Sequence, residues 1–369
     1  MNEISAPVFS ISDKKNNRAV GIWLLIGVGM VIIQIALGGI TRLTGSGLSI
    51  TEWNVVTGTL PPLSESAWMG EFAKYKSTPQ FQLLNTDFNL SDFKFIFFWE
   101  WFHRLWARLL GLVFAAGFIY FLVTKKFKQQ MLKSLLILFL LGALQGLVGW
   151  IMVASGLVGD AVYVKPTKLA LHFIFALGLL CYTFWFALKL MLPNKQRTNI
   201  PALKKLQTSI FILLFFQLLY GALMAGHKAA SAAATWPTIN GSILAPAGLY
   251  KPEFGLLNFI ENKIMVHYVH RGVAYIMLLL VVVYSNRLYK YVLTPLLRKT
   301  KWLPATLIGV QVLLGIVTVL TSTYIVPGHW GTFEWMAQLH QLTGMCFMLA
   351  MVWMFYLTNS NAKAAQRLQ

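Results

Sequence analysis

The chain has 369 residues, 57% of them hydrophobic and 12% charged, with a formal net charge of +19 at pH 7. That balance excludes an ordinary soluble domain and places the chain in a membrane. It does not signal a nucleic-acid binder, because the lysines and arginines are sorted into alternate loops rather than gathered on one surface.

Eight apolar runs are long enough to span a bilayer, which takes about 20 residues. They fall at 19–41, 93–123, 131–154, 167–192, 206–227, 263–288, 302–324 and 334–358. Lys14, Lys15 and Arg18 precede a full-length first span, so no cleavable signal peptide is expected. Span one carries Gln34-Ile-Ala-Leu-Gly38-Gly39, and the loop after it holds Glu52, Glu65, Glu71, Asp87 and Asp92. Span two contains Trp99-Glu100-Trp101-Phe102-His103-Arg104, then Lys125, Lys126, Lys128 and Lys133 in the next loop. Span three carries Gln145 and Gly149, and span four His172 and Cys181. Lys195, Arg197, Lys204 and Lys205 fill the loop before span five, which reads Gln217-Leu-Leu-Tyr-Gly221-Ala222. Span six contains Val266-His267-Tyr268-Val269-His270-Arg271, and Arg287, Lys290, Arg298, Lys299 and Lys301 follow it. Span seven carries Gln311 and Gly315, span eight His340 and Cys346, and the tail Lys363 and Arg367.

Basic loops on one side and acidic or near-neutral loops on the other place both termini in the cytoplasm. The loops at 42–92 and 228–262 then face outward. Anionic membrane lipid is the expected partner of the basic loops. Cys181 and Cys346 lie within spans, not in an outer loop where oxidation favours a disulfide, and read as packing residues.

The spans repeat. Gln34 and Gln217 each stand 19 positions before a tryptophan, Trp53 and Trp236, and Gln-x-x-x-Gly recurs in spans three and seven. His172 lies 69 positions after His103, and His340 lies 70 after His270. The expected fold is an all-α integral membrane protein whose eight transmembrane helices form two parallel pseudo-symmetric four-helix bundles, residues 1–205 and 206–369. An even number of spans per copy gives both the same orientation and an axis along the membrane normal.

Histidine in a membrane span is costly and usually functional. A single one is explained by a hydrogen bond to a neighbouring helix; four in matching frames are not. His103, His172, His270 and His340 all fall toward the outer ends of their spans, two per bundle, which suits one bis-imidazole haem in each. Zinc is the rival metal, but two imidazoles and little thiolate per site favour an iron held by a porphyrin. Gly38, Gly39, Gly149 and Gly315 are expected to let a flat macrocycle approach, and Arg104 and Arg271 to pair with its propionates. Trp53 and Trp236 read as interface anchors, and His227 and His329 have no assigned role. Three residues before His103 stands Glu100; three before His270 stands His267. Glu100 therefore shares a face with His103. It either moves protons or stabilises a cationic intermediate, or it pairs with Arg104 or Arg108.

The segment Gly38-Gly39-Ile40-Thr41-Arg42-Leu43-Thr44-Gly45-Ser46-Gly47-Leu48-Ser49-Ile50-Thr51-Glu52-Trp53 resembles the first outer-loop signature of haem A synthases. Glu100-x-x-His103-Arg104, Gln145-Gly146-x-x-Gly149-Trp150, Thr235-Trp236-Pro237, His270-Arg271 and Leu339-His340-Gln341 are similar to that family's other motifs, in the same order. The resemblance covers nearly all eight spans. It implies oxidation of a porphyrin methyl of haem O to the formyl group of haem A, in the cytoplasmic (inner) membrane, for terminal oxidase assembly. It implies that His270 and His340 hold a haem b, that His103 and His172 frame the haem O substrate, and that Glu100 is catalytic. The implied partners are the haem O synthase (protohaem farnesyltransferase) and an unknown electron donor. Two features depart from the pattern: no outer-loop cysteine pair, as in the mitochondrial and proteobacterial branch, and His267 where the family often has glutamine. Two other classes stay open at this point: a dihaem b-type cytochrome exchanging electrons with quinone, and a transporter built on parallel repeats.

Overall fold

The computed structural model describes residues 11–52, 57–244, 246–326 and 328–359. Trp53, Lys363 and Arg367 lie outside the described residues, as do the side chains of Lys14 and Lys15. Eight of the described helices are long and apolar enough to cross a membrane, which fits a multi-pass membrane protein. They are α1 (Ile11–Leu43), α2 (Leu90–Val123), α3 (Gln129–Ala154), α4 (Pro166–Met191), α5 (Pro201–Gly226), α6 (Lys263–Arg287), α7 (Leu303–Thr321) and α8 (Thr332–Thr358). Among the described residues there is no strand, only one isolated bridge between Ile239 and Ser242. A chain in hydrocarbon must satisfy its own backbone, and the helix does so within each run.

The helix ends sit where the sequence provides caps. Asn89 Oδ1 accepts the Ser91 and Asp92 N–H groups, and Asp92 Oδ2 accepts the Asn89 N–H at 3.0 Å. This capping box starts α2 at Leu90, before its apolar run begins. Asn262 caps α6 in the same way through Ile264 N–H at 3.0 Å. Pro166 and Pro201 take the first turns of α4 and α5, where no backbone donor is needed.

With 34 residues, α2 is about 51 Å long, well beyond a hydrocarbon core of ~30 Å. Its N-terminal end packs under the loop between α1 and α2, whose helix Glu65–Lys76 lays Phe72 and Tyr75 on Phe93 and Phe97. Burial in this cap pushes the Tyr75 hydroxyl up to about 12. Gln80 ties the cap down by donating to the Gly45 and Val162 carbonyls.

Helix α1 packs on α2 and α4, and α3 on α4; α5 packs on α6, α6 on α7 and α7 on α8. The two sets meet where α4 lies against α5 and α8 lies against α1 and α4. α8 is innermost, with 61% of its most apolar stretch buried against 6% for α2. Its Met348, Met351 and Met354 meet Leu177 and Leu180 of α4 and Ile210 of α5 in the main core. Cys181 and Cys346 are free thiols within these helices.

Candidate functional site

Each of the four histidines rests on a glycine of the preceding helix: His103 on Gly38, His172 on Gly149, His270 on Gly221 and His340 on Gly315. A Cβ at those glycines would come within 3.2, 2.8, 3.3 and 2.9 Å of the respective Cε1 atoms. The glycines thus admit the imidazole ring. The expectation that Gly38, Gly149 and Gly315 make way for a macrocycle is corrected on this point, because the histidine fills the space first. Gly39 differs again: it faces Gln338 and Gln341 of α8, which donate to the Ala36 and Ile35 carbonyls of α1 at 3.0 Å each.

One turn before each glycine stands a glutamine directed at the same ring. Gln34 Nε2 lies 3.1 Å from His103 Nε2, and Gln145 Nε2 lies 3.2 Å from His172 Nδ1. Gln217 and Gln311 reach the Nε2 atoms of His270 and His340 at 3.3 Å each. Gln-x-x-x-Gly, legible in the sequence only as a repeat marker, is a histidine-holding device. The spacing works because positions four apart share one helix face.

His270 and His340 face each other across a cavity of about 180 Å³, their ring centroids 6.3 Å apart at 75°. That separation leaves room for a metal between the rings, and two neutral imidazoles are a donor set that suits haem iron. His340 Nδ1 donates to the Gln311 carbonyl at 3.0 Å, so its Nε2 carries the lone pair, which here faces the Gln311 amide and which a metal would take in its place. The residues present therefore fit an iron porphyrin. Trp236 and Tyr275 also line the cavity, the indole N–H donating to the Tyr275 hydroxyl at 3.1 Å. Trp236 is thus more than the interface anchor expected from sequence. His103 and His172 are seated in the same manner, by Gln34 and Gly38 and by Gln145 and Gly149.

Glu100 is buried, and both carboxylate oxygens are engaged. Oε2 accepts the Ser49 hydroxyl at 2.8 Å and the Ile50 N–H at 2.9 Å, and Oε1 accepts Arg104 at 2.5 Å. The ion pair weighed against catalysis is formed, with Arg104 as the partner. Arg104 also donates to the Ile50 and Glu52 carbonyls. Arg271 donates to the carbonyls of Ala233, Thr235 and Thr238 at 2.8–3.1 Å. Both arginines thus clasp the loop that follows the preceding helix. His227 closes the second loop by donating to the Ile260 carbonyl at 2.7 Å. Two features escaped the sequence reading: the role of the glutamines, and the approach of Arg42 from α1 to the second-pair cavity.

Residues 21–352 match the COX15-CtaA family, described as a cytochrome oxidase assembly protein. The chain is similar to the haem A synthase of Flavobacterium psychrophilum, 42% identical over 340 residues, covering 91% of this chain and 96% of that one. It is also similar to those of Paracoccus denitrificans, 42% over 324 residues (86% and 84% of the two chains), and Novosphingobium aromaticivorans, 39% over 357 residues (94% and 97%).

Proposed function

This chain belongs to the COX15-CtaA family of cytochrome oxidase assembly proteins, and from that premise we propose that it is the membrane oxidoreductase that converts haem O to haem A. The observation that carries the reading is the pairing of four glutamine-held, glycine-backed histidines, two among α1–α4 and two among α5–α8. A transporter has no use for two opposed imidazoles, and a dihaem cytochrome has no use for a buried carboxylate beside only one of its sites.

In this reading residues 1–205 form the substrate half and residues 206–369 the haem b half, related by a pseudo-two-fold axis along the membrane normal. His270 and His340 ligate haem b, His340 pre-oriented by the Gln311 carbonyl. When bound, haem b supplies one-electron redox chemistry beside the substrate half. His103 and His172 hold the iron of haem O. As a half-reaction, –CH3 + H2O gives –CHO + 4 H+ + 4 e−, the electrons leaving to an external acceptor, and the protein's share is to fix the substrate and manage the protons. Glu100 lies one turn from His103, and its carboxylate is held by Arg104, Ser49 and Ile50. It takes up protons released as the methyl carbon is oxidised and stabilises positive charge building there. Because Ser49 and Ile50 belong to the first outer loop, the same bonds seat that loop over the site.

Haem O arrives from the prenylating enzyme in the same inner membrane, haem A passes on to oxidase assembly, and a separate donor or acceptor exchanges electrons with the chain. Both termini face the cytoplasm, and anionic lipid lies against the basic loops. The test is a haem extract from cells that supply haem O. Expression of this chain should yield haem A. An extract holding only haem b would make it a plain cytochrome, and the lack of a Soret band in the purified protein would leave the transporter.

A further inference from the structure

The cavity between His270 and His340 carries polar groups that the histidine pair does not use. Three cationic side chains border it: Arg42, Lys228 and Arg271. Arg271 is taken by three loop carbonyls. The Lys228 ammonium sits 3.6 Å over the ring of Tyr163. Arg42 gives one long bond, from Nη1 to the Ala225 carbonyl at 3.4 Å, while its Nε is buried with no hydrogen-bond partner. Glu334 acts on Arg42 through space, but its Oε2 accepts the Gly331 N–H.

His267 borders the same cavity and is 0% exposed. Its ring makes no well-aligned hydrogen bond, and the Ala230 backbone is the acceptor beside it. A buried guanidinium N–H without an acceptor and a buried imidazole with only a backbone neighbour, from different helices, thus border one largely apolar space. Burying such donors unpaired is costly, and an anionic oxygen relieves the cost.

The repeat sharpens the point. The register that aligns Gln34 with Gln217 sets Arg42 against Ala225, and the register that aligns His103 with His270 sets His267 against Glu100. Neither donor has a counterpart in the other half, so the bundle architecture does not require them.

We propose that Arg42 and His267 together bind a carboxylate of the macrocycle held by His270 and His340, so that a residue of α1 completes the site of the last four helices. This rests on the haem reading of that histidine pair. It replaces Arg271, whose guanidinium is engaged, as the carboxylate partner.

The test uses the full-length protein purified in detergent with its haem b. Loss of haem to excess apomyoglobin and the haem midpoint potential are measured, with the low-spin optical spectrum as control. Arg42→Gln should keep the low-spin spectrum but lose haem about tenfold faster or more, the scale of a lost charge-assisted bond. Its potential should fall, because a nearby cation favours the reduced haem. His267→Leu should speed loss by a smaller factor, and His267→Gln, which keeps a donor, should restore it. Unchanged loss and potential in Arg42→Gln would overturn the proposal. If Arg42→Gln fails to accumulate, protohaem dimethyl ester replaces protohaem in wild-type reconstitution. The ester should bind at least about tenfold more weakly; equal binding overturns the proposal. Failure of the underlying site reading is separate: there, His340→Ala would leave the low-spin spectrum intact.

Discussion

At the scale of single residues, the four histidines are less informative than what stands behind them. Gly315 leaves room for the His340 ring, and any side chain there meets Cε1 at 2.9 Å and Nδ1 at 3.4 Å. Overpacking of this kind costs about 1–3 kcal/mol, and the ring is the part free to turn away. Gly315→Val should therefore abolish low-spin haem b while the protein still accumulates in the membrane, as a pyridine haemochrome assay and an immunoblot will report. Retention of full haem b would mean that the ring is not fixed by this contact. Glu100 is the second residue-scale case. Glutamine at 100 keeps the volume and an acceptor for Ser49 and Ile50, and removes the charge and the oxygen that accept Arg104, whose bonds to the Ile50 and Glu52 carbonyls remain. Glu100→Gln should keep protein level and haem b near wild type and sharply reduce haem A in the extract. A parallel fall of protein, haem b and haem A would assign the residue to loop anchoring alone, because breaking a buried ion pair costs about 3–5 kcal/mol.

At the scale of elements, each of the two His-Arg steps joins a helix to the loop above it. Arg104 clasps the first outer loop at Ile50 and Glu52, and Arg271 clasps the second at Ala233, Thr235 and Thr238. Hydrogen bonds from a charged donor each contribute about 1.5–3 kcal/mol when buried, less here because the Thr235 bond is solvent-exposed. Removing three at once should still open the loop locally without unfolding the helices. Arg271→Ala is expected to raise the rate of limited proteolysis within 228–262 by roughly tenfold, a change of about 1.4 kcal/mol. Mass spectrometry of the fragments locates the cuts. Cleavage no faster than wild type would show that Asn258 and Asn262, which staple the same loop at Lys251, Gly248 and Leu249, hold it unaided.

At the scale of the whole molecule, the charge asymmetry of the loops predicts an orientation with both termini in the cytoplasm, and with it the placement of both sites. With Cys181 and Cys346 replaced by alanine, single cysteines at Ser77 and Ser242 should react with a membrane-impermeant thiol reagent applied to the outer face of intact cells. Labelling only after the inner face is opened would invert the topology and move the histidine pairs to the cytoplasmic side. The packing also explains the order of the helices. The innermost are α8, with 61% of its most apolar stretch buried, and α1, with 44%, while α2 has 6%. The first and last of the eight helices thus meet, through Gln338 and Gln341 of α8 on the α1 backbone.

The eight spans were legible from the apolar runs, most ends to within a few residues but α1 starting at Ile11 instead of 19 and α5 at Pro201 instead of 206, because a backbone in hydrocarbon has one local solution. The histidine frames were legible too, since an ionisable residue in such a run has few bland explanations. The pairing of Glu100 with Arg104 was one of two open readings, as helical spacing puts both on one face. What Gly38, Gly149 and Gly315 make room for, and which arginine is left to meet a ligand, were decided only by the tertiary structure. Both depend on contacts between helices far apart in sequence: Gly38 lies 65 positions from His103, and Arg42 reaches a cavity formed by α5 to α8. Spacing along one helix carries no record of which neighbour will cover its face. That is settled by side-chain volume and unmet hydrogen bonds once the helices have packed.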